Sequence, residues 1–181
     1  LRKENTYEDY VQGNIFMSYY LGKTAKYSHT KIIFYTSTRE VYGEIYSNTL
    51  SEKNGIHNPI FYGQTKYLAE QILSASCKTI SLRLPAVLGK GTHGWISKVY
   101  GKMISDESIK FVNCKFNNFI YVDEIYQIIN IFLKKKIFIT DQFNVSCSDI
   151  TTSEKMLLLM KSYLNSKSKI IKKKNNNLSY T

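Results

Sequence analysis

The chain has 181 residues, of which 43% are hydrophobic, which is enough for one sizeable core and makes a single domain the expectation. Its formal net charge of +11 comes from 22 Lys and three Arg, and no aromatic residues interleave with the densest clusters at 134–136 and 172–174. That pattern describes a solvated, lysine-rich surface and argues against a nucleic-acid partner.

No run of about eighteen apolar residues and no charged-then-apolar leader is visible, so neither a membrane span nor a secretory signal is expected, and a cytoplasmic protein fits best. Cys77, Cys114 and Cys147 are odd in number, widely spaced and without a C-x-x-C. They read as buried thiols, with no metal site and no disulfide frame.

Along the chain, Tyr10, Ile15, Phe16, Tyr19 and Leu21 recur at helical spacing over about 6–26, although Gly13 and Gly22 weaken that helix. The run KIIFYTST (31–38) is short, apolar and β-branched, as in a strand buried in a parallel sheet. A polar loop, GEIYSNTLSEKNGIHNP, ends at Pro59 and leads into a helix that opens FYGQTKYLAEQIL. TISLRL (79–84) is a second strand, stopped by Pro85. There follow a helix WISKVYGKMI (95–104), strands IKFV (109–112) and NFIYV (118–122), and a helix DEIYQIINIFL capped by Asp123. A short strand QFNVS and a helix TTSEKMLLLMKSYL, capped by Thr151 or Thr152, complete the series.

Strands alternating with helices predict an α/β domain with a mostly parallel sheet over 1–164. Residues 165–181, NSKSKIIKKKNNNLSYT, show no complete element and read as a basic tail with the look of a cut end.

Four Tyr-x-x-x-Lys pairs occur: Tyr19/Lys23, Tyr27/Lys31, Tyr62/Lys66 and Tyr163/Lys167. With so many Tyr and Lys the spacing alone proves nothing, and the surroundings must decide. Tyr62 and Lys66 lie one helical turn apart on one face, just after a strand whose carboxyl end carries Ser37 and Thr38. Tyrosine's ordinary pKa near 10 makes it a poor base at neutral pH, but a neighbouring ammonium favours the phenolate. Thr38 is then placed to hold a substrate hydroxyl whose proton Tyr62 removes or returns.

The blocks TSTREVYG (36–43), YGQTKYLAE (62–70), LRLPAVLGKG (82–91) and NNFIYVDE (117–124) resemble, in order and spacing, the extended short-chain dehydrogenase/reductases. Within them the likeness is to the NAD-dependent epimerase/dehydratase group acting on nucleotide sugars. It covers roughly residues 10–164. The resemblance implies a partial Rossmann-type, doubly wound parallel sheet with the start of a smaller substrate-binding region. It implies NAD or NADP as cofactor, a nucleotide-sugar substrate, and a homodimer when full length.

By the same resemblance Tyr62 is the catalytic acid/base and Lys66 holds the nicotinamide ribose and lowers the tyrosine pKa. Thr38 orients the substrate and Asn14, in VQGNIF, completes a catalytic tetrad or is a plain surface residue. Ser37 and Pro85 fall at cofactor-facing positions, and Glu40, Ala86 and Val87 at substrate-facing ones.

Departures narrow the reaction. The sugar dehydratases of the family follow the threonine with Asp-Glu, and here Arg39 and Glu40 stand there. A guanidinium cannot donate the proton that a leaving hydroxyl requires, so dehydration is disfavoured. Ala86 replaces an asparagine common in epimerases, which leaves a ketoreductase as the alternative, and a non-catalytic cofactor-sensing or scaffold relative as the alternative of another class.

No glycine-rich turn precedes Thr38. The G-x-G-x-x-G at Gly89, Gly91 and Gly94 is a decoy, since Pro85 interrupts the approach and the next strand ends at Asn113 without an acidic residue. His93 and Trp95 beside it are within the range of residue types that touch a sugar or base, but His93 reads first as an ordinary loop residue. The expectation is a chain lacking the first dinucleotide-binding motif and inactive as it stands.

Overall fold

The computed structural model describes residues 6–44, 50–91, 94–112, 115–116, 119–147 and 151–173. His93, Asn113, Cys114 and the last residues of the basic tail lie outside them. The chain forms two compact units, the first from Leu1–Pro85 and Glu124–Val145, the second from Ala86–Asp123 and Ser146–Tyr180.

The first unit opens with one continuous helical segment: α1 (Tyr7–Tyr10), a π-helical turn over Val11–Phe16, and α2 (Met17–Tyr27). Thr6 caps it in a reciprocal box with Asp9. The strand β1 (Ile33–Thr38) follows, then a 3-10 turn over Arg39–Tyr42, helix α3 (Phe61–Ser76) and strand β2 (Thr79–Leu84). The second unit adds β3 (Ala86–Leu88), α4 (Trp95–Ile104), β4 (Ile109–Phe111), β5 (Lys115–Phe116) and β6 (Phe119–Tyr121). Helix α5 (Val122–Lys134) and β7 (Asp141–Asn144) return to the first unit, and β8 (Thr151–Thr152), α6 (Ser153–Tyr163) and β9 (Ile170–Lys172) complete the second.

The sheet of the first unit is parallel throughout, in the order β1-β2-β7, with Ser37 opposite Arg83 and Arg83 opposite Asn144. Every residue of β2 is buried, as a central strand covered on both faces requires. On one face Leu73 of α3 and Ala25 of α2 pack on Ile33, with Tyr35 at the edge of the cluster. On the other, Phe132 of α5 packs between Phe34 and Phe143, at ring separations of 5.9 and 5.4 Å. Helices on both faces make it doubly wound. Full burial of Leu73 or Ile80 contributes about 1.5–3 kcal/mol each.

The helix over 7–27 forms as predicted but buries another face. Phe16, Tyr19 and Leu21 are exposed, while Tyr10, Ser18, Gly22 and Ala25 are buried. Small residues let α2 approach α3 closely, and a Cβ at Gly22 would press on the Ser76 side chain at 2.7 Å. Gly22, read as a weakness of the helix, is what its packing needs.

In the second unit β3 pairs β6 in parallel and β4 pairs β9 in parallel, over a core of Val99, Met103, Ile109, Phe111 and Leu157. The strand β9 corrects the reading of a featureless tail. Ser166 donates to the Met103 carbonyl at 2.7 Å and the Lys167 amide to Asp106 at 2.6 Å, and this non-local anchoring is invisible in a lysine-rich sequence. Thr152 is the cap of α6, accepting from the Lys155 amide. Asp123 lies inside the first turn of α5, which begins one residue earlier at Val122.

Candidate active site

On α3, Tyr62, Lys66, Glu70 and Leu73 follow one another at steps of four, four and three, so they form one stripe. Leu73, with no exposed surface, anchors that stripe to the sheet. Lys66 Nζ accordingly reaches the carboxyl end of β1, where it donates to the Thr36 carbonyl at 2.8 Å and stands 4.6 Å from the centre of the Tyr35 ring. Burial pulls the ammonium below its ordinary pKa, opposed by the nearby Glu70 carboxylate.

The Tyr62 ring lies 5.4 Å from that of Tyr10, and Phe61 stacks edge-on against Tyr7 at 4.7 Å. These aromatics seat the start of α3 against the start of α1. Asn14 sits in the π-helical turn, and its side-chain amide donates to the Thr65 hydroxyl at 3.0 Å. Thr65, fully buried, donates in turn to the Tyr62 carbonyl at 2.9 Å. Asn14 is therefore tied to the helix between Tyr62 and Lys66, and is not a plain surface polar group. A wide turn of this kind re-aims a single residue.

Burial pushes the Tyr35 phenol well above its ordinary pKa, with Tyr62 and Glu70 adding to the shift and Ser18 opposing it. Its hydroxyl is buried without a hydrogen bond of good geometry. Tyr35→Phe keeps the ring under Lys66 and removes an unsatisfied hydroxyl, so a gain of about 1–3 kcal/mol is expected. The sign with pH follows from the raised value. Stability held by the neutral phenol is complete below about pH 10 and is lost as pH rises through the folded-state pKa. Melting temperatures measured from pH 8 to 11 should fall more steeply in the parent than in Tyr35→Phe.

At the end of β1, Ser37 is 5% exposed and its Oγ has no partner. Alternation along the strand puts it on the same face as Tyr35, the face that α3 covers. Thr38 caps the 3-10 turn by accepting from the Glu40 amide at 3.3 Å, which leaves its O–H hydrogen to donate elsewhere. Glu40 pairs with Arg39 at 3.6 Å, both side chains being 44% exposed, so the pair adds little stability.

Gly63, one residue after Tyr62, sets the spacing between α3 and this turn. A Cβ there would run into the Glu40 carbonyl. Gly63→Ala is expected to cost about 1–3 kcal/mol as the helix is pushed off the turn, a fall in melting temperature that calorimetry would read directly.

Two residues of the site were not picked out from sequence. Arg83 of β2 meets Glu70 of α3 in a forked pair, Nη2 to Oε2 at 2.7 Å and Nε to Oε1 at 3.1 Å, with the side chains 5% and 4% exposed. The guanidinium also lies 4.7 Å from the centre of the Tyr42 ring, and the Tyr42 hydroxyl donates to Asn144 Oδ1 at 2.8 Å. Burial disfavours the Arg83 charge, but Glu70 and Tyr42 outweigh it and hold its pKa above the ordinary value. The available signal was a charged residue inside a strand otherwise made to be buried.

Pro85 ends β2 in the first unit, with Ser37, Thr38, Glu40, Tyr62, Lys66 and Asn14. Ala86 and Val87 belong to β3 of the second unit, where they pair with Phe119 and Ile120. The glycine decoy follows β3, with Gly91 at φ 79°, but α4 after it leads to β4, which pairs with β9 and not with β3. It is not a strand–turn–helix–strand unit of one sheet. Among the described residues no group of His, Cys, Asp or Glu could hold a metal, and no helix is long and apolar enough to cross a membrane.

The pattern of the NAD dependent epimerase/dehydratase family matches residues 1–146. The chain belongs to that family. No curated protein matches its sequence. Among solved structures it is similar to the Bordetella bronchiseptica enzyme WbmG in complex with NAD, at 18% identity and a TM-score of 0.83, over 97% of this chain and 57% of that one. It is also similar to the UDP-glucuronic acid 4-epimerase of Bacillus cereus in complex with NAD (18%, 0.78, 92% and 58%). A third is the UDP-N-acetylglucosamine 4-epimerase of Methanobrevibacter ruminantium M1 in complex with UDP-N-acetylmuramic acid (23%, 0.77, 93% and 58%). At these identities the likeness is one of fold. The chain spans a little under three fifths of the length of these relatives.

Proposed function

We propose that the chain is the acid/base part of an NAD-dependent nucleotide-sugar 4-epimerase working in the cytoplasm, in the supply of sugars for surface polysaccharide. The observation that carries this reading is the Lys66 ammonium, fixed on Thr36 and the Tyr35 ring one turn from Tyr62, at the strand end that also presents Ser37 and Thr38. The buried Ser37 hydroxyl without a partner fits a bound polar group there. Tyr62, Lys66, Ser37 and Pro85 would hold the cofactor, and the NAD carried by the WbmG and Bacillus relatives favours it over NADP. When bound, NAD supplies a reversible hydride acceptor.

The residues divide the remaining work. Tyr62, as phenolate, takes the proton of the sugar 4-hydroxyl and gives it back to the same oxygen once the hydrogen on that carbon has been restored on the opposite face, and the Lys66 charge favours that phenolate. Thr38 donates its free hydrogen to the sugar oxygen and holds it in reach of Tyr62, while Asn14 fixes the helix through Thr65. Glu40, Ala86 and Val87 are assigned to the sugar nucleotide by position in the family pattern. Arg39, whose guanidinium cannot supply the proton that a leaving hydroxyl requires, speaks against dehydration.

The test is a fluorescence titration of the chain with NADH and NADPH beside a version extended upstream through its reading frame, followed by product analysis with UDP-sugars. Epimerisation leaves the nicotinamide redox state unchanged, whereas the ketoreductase reading, favoured by Ala86, consumes NAD(P)H one for one. Absence of either turnover in an extended protein that binds NADH would leave the cofactor-sensing reading in its place.

Met17, Tyr20 and Leu21 of α2 form an exposed stripe, with Leu68 exposed on α3. This apolar face fits the homodimer that the family pattern implies. Met17→Glu with Leu68→Glu is expected to turn a dimer into a monomer in light scattering, and an unchanged mass would remove this assignment.

A further inference from the structure

Arg83 stands outside the Tyr62/Lys66 pair, between Glu70 and the Tyr42 ring, where two separately built halves of the site meet. One half is the 3-10 turn headed by Thr38, which ends at Tyr42, the ring beside the guanidinium. The other is the α3 stripe, on which Glu70 follows Lys66 by one turn. Arg83 occupies both carboxylate oxygens of Glu70 and the Tyr42 ring at once, and Tyr42 is itself fixed by Asn144 at the end of β7. A single buried fork thus sets the rotation of α3 and the position of the Thr38 turn from the same strand.

It also governs what Glu70 does. Among the charged or titratable groups around Lys66 are Tyr62 and Glu70 on its own helix, Tyr35 on β1, and Arg83 on β2 behind Glu70. With both its oxygens taken by Arg83, the Glu70 carboxylate acts on Lys66 only through space, and the lysine donates to Thr36. We infer that the Glu70–Arg83 pair is a positioning device that keeps the Lys66 ammonium on Thr36 and Tyr35, free of a direct carboxylate partner, and ties the Thr38 turn to the same strand. The inference rests on the reading of Tyr62 and Lys66 as the acid/base pair, and it names a role for two residues outside that pair.

The test is made on Lys66 itself, without cofactor or substrate, so that its outcome is separate from that of the turnover assays. Lysines are labelled by reductive methylation with carbon-13, and the Lys66 signal is assigned by its absence in Lys66→Arg. In the parent the signal should lie upfield of exposed lysines, because of the Tyr35 ring, and titrate below them. Glu70→Leu with Arg83→Met replaces the pair by apolar side chains and leaves no unpaired charge buried. The expected result is a folded protein whose Lys66 signal loses part of its upfield shift and titrates at lower pH, since the opposing carboxylate is gone.

Arg83→Lys is the second variant, keeping the charge without the fork or the ring contact. A freed Glu70 oxygen then draws Lys66 off Thr36, and the signal moves downfield and titrates at higher pH. Variants that fold with the Lys66 shift and midpoint of the parent would overturn the inference and leave the pair merely structural. If the double variant does not fold, Arg83→Lys decides by the same two readings.

Discussion

Arg83→Met alone is expected to destabilise the chain by about 3–5 kcal/mol, the largest effect of any single substitution outside the apolar core. The reason is asymmetric. Methionine fills much of the space, but Glu70, 4% exposed, is left as a buried carboxylate without its two donors, and it must either stay charged at a high cost or take up a proton. The sign with pH follows: a variant that forces Glu70 to bind a proton on folding loses stability as pH rises, so its deficit should shrink toward pH 5. Urea unfolding of the parent, Arg83→Met and Glu70→Leu with Arg83→Met at pH 5 and pH 8 checks this. The double variant should recover most of the loss. Equal deficits in both variants at both pH values would show that packing, and not the stranded charge, accounts for the loss.

Tyr62→Phe is expected to lower kcat of the proposed epimerisation about 10²–10⁴-fold while leaving the melting temperature nearly unchanged. The ring packs against Tyr10 at 5.4 Å, a contact that phenylalanine keeps, so the loss falls on proton transfer. Single-turnover rates with a UDP-sugar in the extended protein, compared at matched NADH affinity, separate the chemical step from binding. A fall of tenfold or less would mean that another group moves the proton. Lys66→Met should lower the rate as well, and also weaken NADH binding, because that side chain is assigned both to the cofactor ribose and to the phenolate.

The two predictions differ in how far they could be read in advance. Tyr62 and Lys66 sit one turn apart by the period of a helix, a covalent property of the chain, and the strand KIIFYTST ahead of them fixes which sheet end they face. For the same reason β2 and α4 fall on the residues expected of them, and the parallel sheet follows from the alternation of strands and helices. Local pattern failed where a residue's worth depends on a distant neighbour. Gly22 looks like a weak point in its helix, and only the approach of Ser76 shows what it allows, as the Glu40 carbonyl does for Gly63. The apolar stripe of α2 looked like a buried face, and it is the small residues beside it that are buried.

Sequence by itself determined the fold class and the family, through the alternation of strands and helices and four ordered blocks, and it marked Tyr62 and Lys66 as the candidate pair near the end of β1. Tertiary structure decided the rest: that Asn14 reaches Thr65 across fifty-one residues, that Glu70 and Arg83 neutralise each other, that Tyr35 hides a hydroxyl, and that residues 170–172 close a sheet with β4. The physical reason is common to all four. A buried polar group or an edge strand is stabilised only by its partner, and the partner's identity is fixed by packing in three dimensions, where spacing along the chain carries no information.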